Sequence, residues 1–186
     1  CTTMEEFGDV HALALAYDNF WSTVGVHPDN EGVQEPSVED LLAKAALPRV
    51  VAIGETGLDY YGMEDRKGGR SVADLEWQRD RFRTHIRAAR ACAKPLIIHT
   101  RSASDDTLAI LREEGEDGAG NIAGGVFHCF TESMQVARAA LDLGYYLSFS
   151  GIITFKNAQD LRDVVAFTPL DRILIETDSP YLAPVP

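Results

Sequence analysis

Short apolar, β-branched runs alternate with longer amphipathic segments along all 186 residues, and no other feature narrows the fold so far. A run of four to six apolar residues suits a buried strand, and apolar residues at three- and four-residue spacing give a helix one buried face. Their alternation is the pattern of βα units around a parallel sheet. Strands are predicted near Trp21–Val26, Val50–Ile53, Leu96–Ile98, Gly125–Phe127, Tyr145–Phe149 and Ile173–Ile175. Helices are predicted over Met4–Ala16, after Ser37 ("VEDLLAKAAL"), over Val72–Cys92, after Ser133 ("MQVARAALDL", closed by Gly144) and after Asn157 ("AQDLRDVVAF"). The longest of these has an apolar face of Leu75, Phe82, Ile86 and Ala89.

Uninterrupted βα repetition permits a doubly wound open sheet or a (β/α)₈ barrel. The strand ends decide between them. No Gly-x-Gly-x-x-Gly follows a strand, and the glycine-rich "GAGNIAGG" (Gly118 to Gly125) precedes one, where it is poorly placed to cradle a phosphate. The first polar residues after the strands are instead His27, Glu55, His99 and His128, with Asp178 shortly beyond "ILI". In a barrel of parallel strands the carboxyl ends converge on one face, so these five side chains would surround one cavity.

Imidazole and carboxylate without cysteine suit a divalent ion such as Zn²⁺, Mn²⁺ or Mg²⁺. A carboxylate can bridge two ions, which makes Glu55 the bridging candidate. Each residue also has a plainer reading. A lone strand-end histidine is commonly a hydrogen-bonded structural group, Glu55 could cap a helix, and Asp178 before Ser179 and Pro180 could start a turn. Three histidines at strand ends shift that balance, whereas His11 and His85 fall inside helices and read as surface or packing residues. Glu176, still inside the last strand, either holds a ligand or water on the substrate side or is a buried ion-pair partner. Arg101 could grip an anionic oxygen or form a surface salt bridge. Asp59, Tyr60 and Tyr61 could reach a substrate or pack at the rim. The loop "MEDRKGGR" offers Arg66, Lys67 and Arg70, offset by Glu64 and Asp65.

A net charge of −12 argues against a long electrostatic groove for nucleic acid, because such affinity comes mainly from Lys and Arg displacing counterions. A phosphate substrate would need neutralising by something else. No apolar stretch approaches the roughly 18 residues of a membrane helix and no signal segment is evident, so a cytoplasmic location without membrane attachment is expected. The three cysteines, Cys1, Cys92 and Cys129, have no metal-binding or disulfide spacing.

In order along the chain, "GVHP", "AIGETGLDYY", "KPLIIHTR", "FHCFTES" and "IETDSPYLAP" resemble the TatD-type metal-dependent deoxyribonucleases of the amidohydrolase-like barrels. The resemblance runs from Thr23 to Pro184. It implies a (β/α)₈ TIM-type barrel with two divalent metal ions on its carboxyl face, hydrolysing phosphodiesters of DNA or an oligonucleotide, including 3′-to-5′ exonuclease action. It further implies that Glu55 bridges the ions, that His99 and His128 are ligands of one of them, and that Asp178 completes the other site and handles the water. His27 and Arg101 match positions lining the substrate side.

The family pattern also has an Asp-x-His-x-His stretch on its first strand, absent here, and a closing Arg-Gly-Lys-x-Asn-Glu-Pro segment. Residues 1–186 are therefore expected to form a single, partial barrel domain of about six βα units, without the first two strands and the closing helix of a longer natural protein. Two other functions stay open at this stage: an amidohydrolase-type reaction on an amide, lactone or phosphoester, and an inactive fragment.

Overall fold

The computed structural model describes residues 1–63, 69–117 and 122–186. Its strands are β1 (Ser22–Val24), β2 (Val50–Asp59), β3 (Leu96–Arg101), β4 (Gly125–Phe127), β5 (Tyr146–Phe149) and β6 (Ile173–Ile175). Between and before them run α1 (Phe7–Ala16), α2 (Val38–Ala45), α3 (Glu76–Cys92), α4 (Ser104–Glu113), α5 (Met134–Asp142) and α6 (Gln159–Phe167). The six strands make one sheet in sequential order, each parallel to the next. A doubly wound sheet reverses its strand order partway; this one winds in a single sense, as a barrel does. The α/β class and the six predicted strands are as the sequence pattern indicates.

Local chemistry accounts for most element boundaries. Ser37 caps α2 through a reciprocal box with Asp40, and the Ser133 side chain accepts from the Val136 N–H at the start of α5. Asn157 does not serve in that way, since α6 starts one residue later behind Ala158, whose side chain offers no cap. The long predicted helix opens as a 3₁₀ turn, Val72–Leu75, before α3 begins. Helix α4 has no counterpart among the predictions. Its opening "SDD" reads like a loop, yet Asp105 and Asp106 sit in the first turn, where the helix dipole favours negative charge, and Leu108, Ile110 and Leu111 are buried beneath it.

Two strands outrun their apolar runs. Strand β2 continues from Ile53 to Asp59 and β3 from Ile98 to Arg101, paired through Thr56 with Ile98, Gly57 with His99, Leu58 with Thr100 and Asp59 with Arg101. Backbone pairing, which is indifferent to side-chain polarity, extends these strands. Glu55 and His99 are consequently held inside strands rather than in the loops after them.

The core lies between the sheet and the helices. Helix α3 packs on β2 through Phe82, Ile86 and Ala89, all fully buried together with Leu75 just before it. Burying Phe82 or Ile86 contributes about 2–3 kcal/mol each. Among the described residues no helix is long and apolar enough to cross a membrane. The basic loop positions Arg66 and Lys67, with Glu64 and Asp65, lie outside the described residues, as do the first four positions of "GAGNIAGG". Arg70 is paired with Glu31 at 2.7 Å.

Candidate metal centre

Two close backbone approaches bring the candidate ligands together. A β-carbon on Gly57, whose φ is +132°, would lie 1.9 Å from the carbonyl oxygen of His99, and one on Gly25 would lie 2.6 Å from the Gly54 carbonyl carbon. Only glycine permits backbones to come so near. The first contact draws β2 against β3 beside His99; the second draws the end of β1, which leads into His27, against the residue before Glu55.

His27, Glu55 and His99 form one group whose potential donor atoms all lie within 4.8 Å of one another. Glu55 Oε1 stands 3.6 Å from His27 Nε2 and 3.4 Å from His99 Nδ1. The His27 and His99 rings meet edge-on, with centroids 4.4 Å apart. The other nitrogen of each ring is occupied: His27 Nδ1 accepts from the Asp29 N–H at 3.1 Å, and His99 Nε2 faces Asp59 Oδ2 at 3.1 Å. A carboxylate behind a histidine fixes its orientation and raises its basicity as a ligand.

His128, Glu176 and Asp178 make the second group. His128 Nε2 is 3.5 Å from Asp178 Oδ1 and 4.0 Å from Glu55 Oε1, while its Nδ1 is 3.2 Å from Glu176 Oε2. Glu55 thus stands between the two groups. Asp178 also accepts through its carbonyl from the Tyr181 N–H at 2.8 Å, so the turn and the site use different atoms of one residue.

The donor set fits divalent ions. It is all nitrogen and oxygen, gathered at strand ends. Both carboxylate oxygens of Glu176 are buried, and among the described residues neither accepts a hydrogen bond, a costly placement for an anion unless positive charge stands nearby. Cys129 belongs to neither donor group, and burial pushes its thiol up to about 11.

The electrostatics describe a mutually dependent cluster. Burial works to raise the Glu55 carboxyl, but the His99 hydrogen bond and the charges of His27 and His128 outweigh it and hold the group down at about 2. Burial works to lower His99, and the bonds to Asp59 and Glu55 overcome it, lifting the ring to about 9. His27 is lowered by burial and then by repulsion from His99. Glu176 is raised, chiefly by burial, against the pull of His128. Such opposed shifts gather where chemistry is done.

The family described as "TatD related DNase" matches this sequence over residues 1–186. The chain belongs to that family. It is 50% identical over 186 residues to an Escherichia coli protein described as the uncharacterized metal-dependent hydrolase YcfH, covering 100% of this chain and 65% of YcfH. It is 34% identical over 185 residues to the 3′-5′ ssDNA/RNA exonuclease TatD of Salmonella typhimurium, covering 98% of this chain and 66% of that protein. The crystal structure of the Escherichia coli TatD homolog YJJV matches with a TM-score of 0.84 at 31% identity, over 100% of this chain and 68% of that one. The chain therefore spans about two thirds of the length of these TatD relatives.

Within this TatD fold, the expected ligand candidates Glu55, His99, His128 and Asp178 are brought close together, and His27 and Glu176, expected on the substrate side, lie in the same two groups of potential donors. Arg101 is exposed, its guanidinium 3.7 Å from the centroid of the Tyr61 ring. Asp59, read from the sequence as a substrate or rim residue, backs His99; the period-two spacing Glu55, Gly57, Asp59 puts all three on one face of β2. Three residues of α3 were not singled out for the site by the sequence. Gln78, Arg81 and His85 of α3 hydrogen-bond to backbone at the strand ends, and His85, expected as a surface or packing residue, is fully buried. No local signal marks it, since its partner Val26 lies 59 positions away.

Proposed function

We infer that this site hydrolyses phosphodiesters, acting on DNA or an oligonucleotide from its 3′ end, with two divalent ions (Mg²⁺, Mn²⁺ or Zn²⁺). The observation that carries the reading is the place of Glu55 Oε1, 3.4–4.0 Å from three imidazoles belonging to two donor groups. His27, Glu55 and His99 would hold one ion, His128 and Asp178 the other, with Glu55 shared. Bound there, divalent ions supply Lewis acidity that acidifies water and neutralises charge at a phosphoryl oxygen.

The residues themselves do the rest. Asp178, the most exposed carboxylate of the cluster with 40% of its side chain accessible, orients the attacking water and accepts its proton. Asp59 and Glu176 hold the rings of His99 and His128 from behind. A chain of net charge −12 offers little general attraction for a phosphate backbone, so binding concentrates at the site, which favours an accessible strand end over a long duplex. The cytoplasm, where thiols stay reduced, is the compartment this reading assumes, and the three cysteines are free.

The test is metal content by elemental analysis together with parallel assays on a single-stranded oligonucleotide and on amide and lactone substrates, each with and without EDTA. Metal-dependent release of nucleotides from the 3′ end is expected. Turnover of the amide or lactone with an intact oligonucleotide would replace the nuclease by an amidohydrolase activity, and absence of bound metal would remove both.

A further inference from the structure

Helix α3 carries three polar residues that water does not reach. Gln78 and His85 are fully buried and Arg81 is 3% exposed. Their spacing, three and then four residues, places them on one stripe of the helix. A buried polar side chain is costly unless hydrogen-bonded, and each of these is paired with backbone beside the first donor group. Gln78 grips Asp59 at both ends of its backbone: its Oε1 accepts from the Asp59 N–H at 3.0 Å, and its Nε2 donates to the Asp59 carbonyl at 3.2 Å. Arg81 Nη1 donates to the carbonyls of His27 and Asn30, both at 2.8 Å, while its Nε donates to Glu35 at 2.8 Å.

His85 Nε2 accepts from the Val26 N–H at 3.0 Å, and its Nδ1 lies 2.8 Å from the Arg81 carbonyl. These partners fix the tautomer. A backbone N–H can only donate and a carbonyl can only accept, so the proton sits on Nδ1 and the ring is neutral. That same Nδ1–H ties His85 to the residue that holds His27, so those two members of the stripe are linked.

We propose that Gln78, Arg81 and His85 are positioning residues, a brace on α3 that fixes where the His27 loop and the end of β2 stand relative to each other. Those two backbone segments come from different βα units, and each carries a group that addresses Glu55 or His99: His27 directly, Asp59 through the His99 ring. Apolar residues would fill the same space on α3 but could not set the height of either strand end. A metal centre tolerates little drift in donor positions, and partners behind the ligands are worth about 10- to 100-fold in metal affinity. The inference rests on the metal-site reading above.

The experiment uses His85→Leu and Gln78→Met, which remove the hydrogen bonds, and His85→Gln, which keeps an acceptor for the Val26 N–H. Two quantities are measured on each: Mn²⁺ affinity by calorimetric titration of the metal-free protein, and amide hydrogen exchange of residues 26–30 and 58–60 without metal. Expected are about 10-fold weaker binding of one Mn²⁺ in His85→Leu and Gln78→Met with the second ion unaffected. Exchange should be faster at 26–30 in the first variant and at 58–60 in the second, and His85→Gln should stay within about 3-fold of the parent in affinity. Unchanged affinity in both apolar variants, equal weakening of both ions, or His85→Gln behaving like His85→Leu would overturn the brace. If His85→Leu does not fold, Gln78→Met and His85→Gln carry the same comparison. Should the parent protein take up no Mn²⁺, the metal reading falls by itself, and the exchange data alone decide whether the stripe holds these segments.

Discussion

Glu55 Oε1 lies 3.4 Å from Nδ1 of His99, a ring whose other nitrogen is held by Asp59. The same oxygen is within 4.0 Å of His27 and His128, so a single carboxylate faces imidazoles of both donor groups. Replacing Glu55 by Ala should remove metal from both groups at once and lower oligonucleotide hydrolysis by more than about 100-fold. Elemental analysis that still finds two ions per chain in that variant would show that Glu55 is not shared.

The carboxylates behind the histidines should matter less, and separately. Asp59→Asn and Glu176→Gln keep shape while losing charge, and each is expected to weaken one ion by about 10- to 100-fold. Titration with Mn²⁺ distinguishes them: the double variant should lose affinity for both ions, each by about the amount of its single variant.

Metal uptake should depend on pH through His99. In the metal-free protein the bonds to Asp59 and Glu55, working against burial, lift this ring to about 9, so at neutral pH it carries a proton that an incoming ion must displace. Mn²⁺ affinity should rise about tenfold per pH unit between roughly pH 7 and 9. In the absence of metal the sign is opposite for stability. A raised histidine contributes fully below its ordinary value of 6.5 and loses that contribution as pH rises through about 9. A flat affinity profile over this range would show that His99 binds without proton release.

Acid should attack the α3 stripe through His85. Burial holds its ring down at about 4 against an ordinary 6.5. The folded state refuses a proton that the unfolded chain accepts, so this group costs nothing above about pH 6.5 and destabilises progressively as pH falls toward 4, by about 3 kcal/mol at the lower end. His85→Gln has no such proton to take up. Urea unfolding at pH 7 and pH 4.5 should show the parent losing more stability than the variant, and parallel losses would contradict the assignment.

Backbone proximity at Gly57 gives the largest expected effect from a single methyl group. With φ at +132° and a prospective β-carbon 1.9 Å from the His99 carbonyl oxygen, Gly57→Ala should destabilise the fold by more than about 3 kcal/mol. Gly32 also has positive φ, at +74°, but nothing within 4 Å of its prospective β-carbon, so Gly32→Ala should cost only about 1 kcal/mol. Thermal unfolding of the pair separates close approach from conformational preference.

What the sequence determined by itself follows from periodicity and punctuation. Apolar runs located all six strands, serines located the starts of α2 and α5, and the histidines and acids beyond those runs marked the strand ends that the fold brings together. These are local signals, readable over a few residues because strand and helix bury side chains at different spacings. Only the tertiary structure decided the rest. Polar residues inside an amphipathic helix look solvated until the backbone that meets them is known, and for Gln78, Arg81 and His85 that backbone lies 19 to 59 positions away. The strand ends already grouped His27 with Glu55 and His99, but how closely the three meet was decided by glycine contacts between separate strands, a distance that no spacing along the chain encodes.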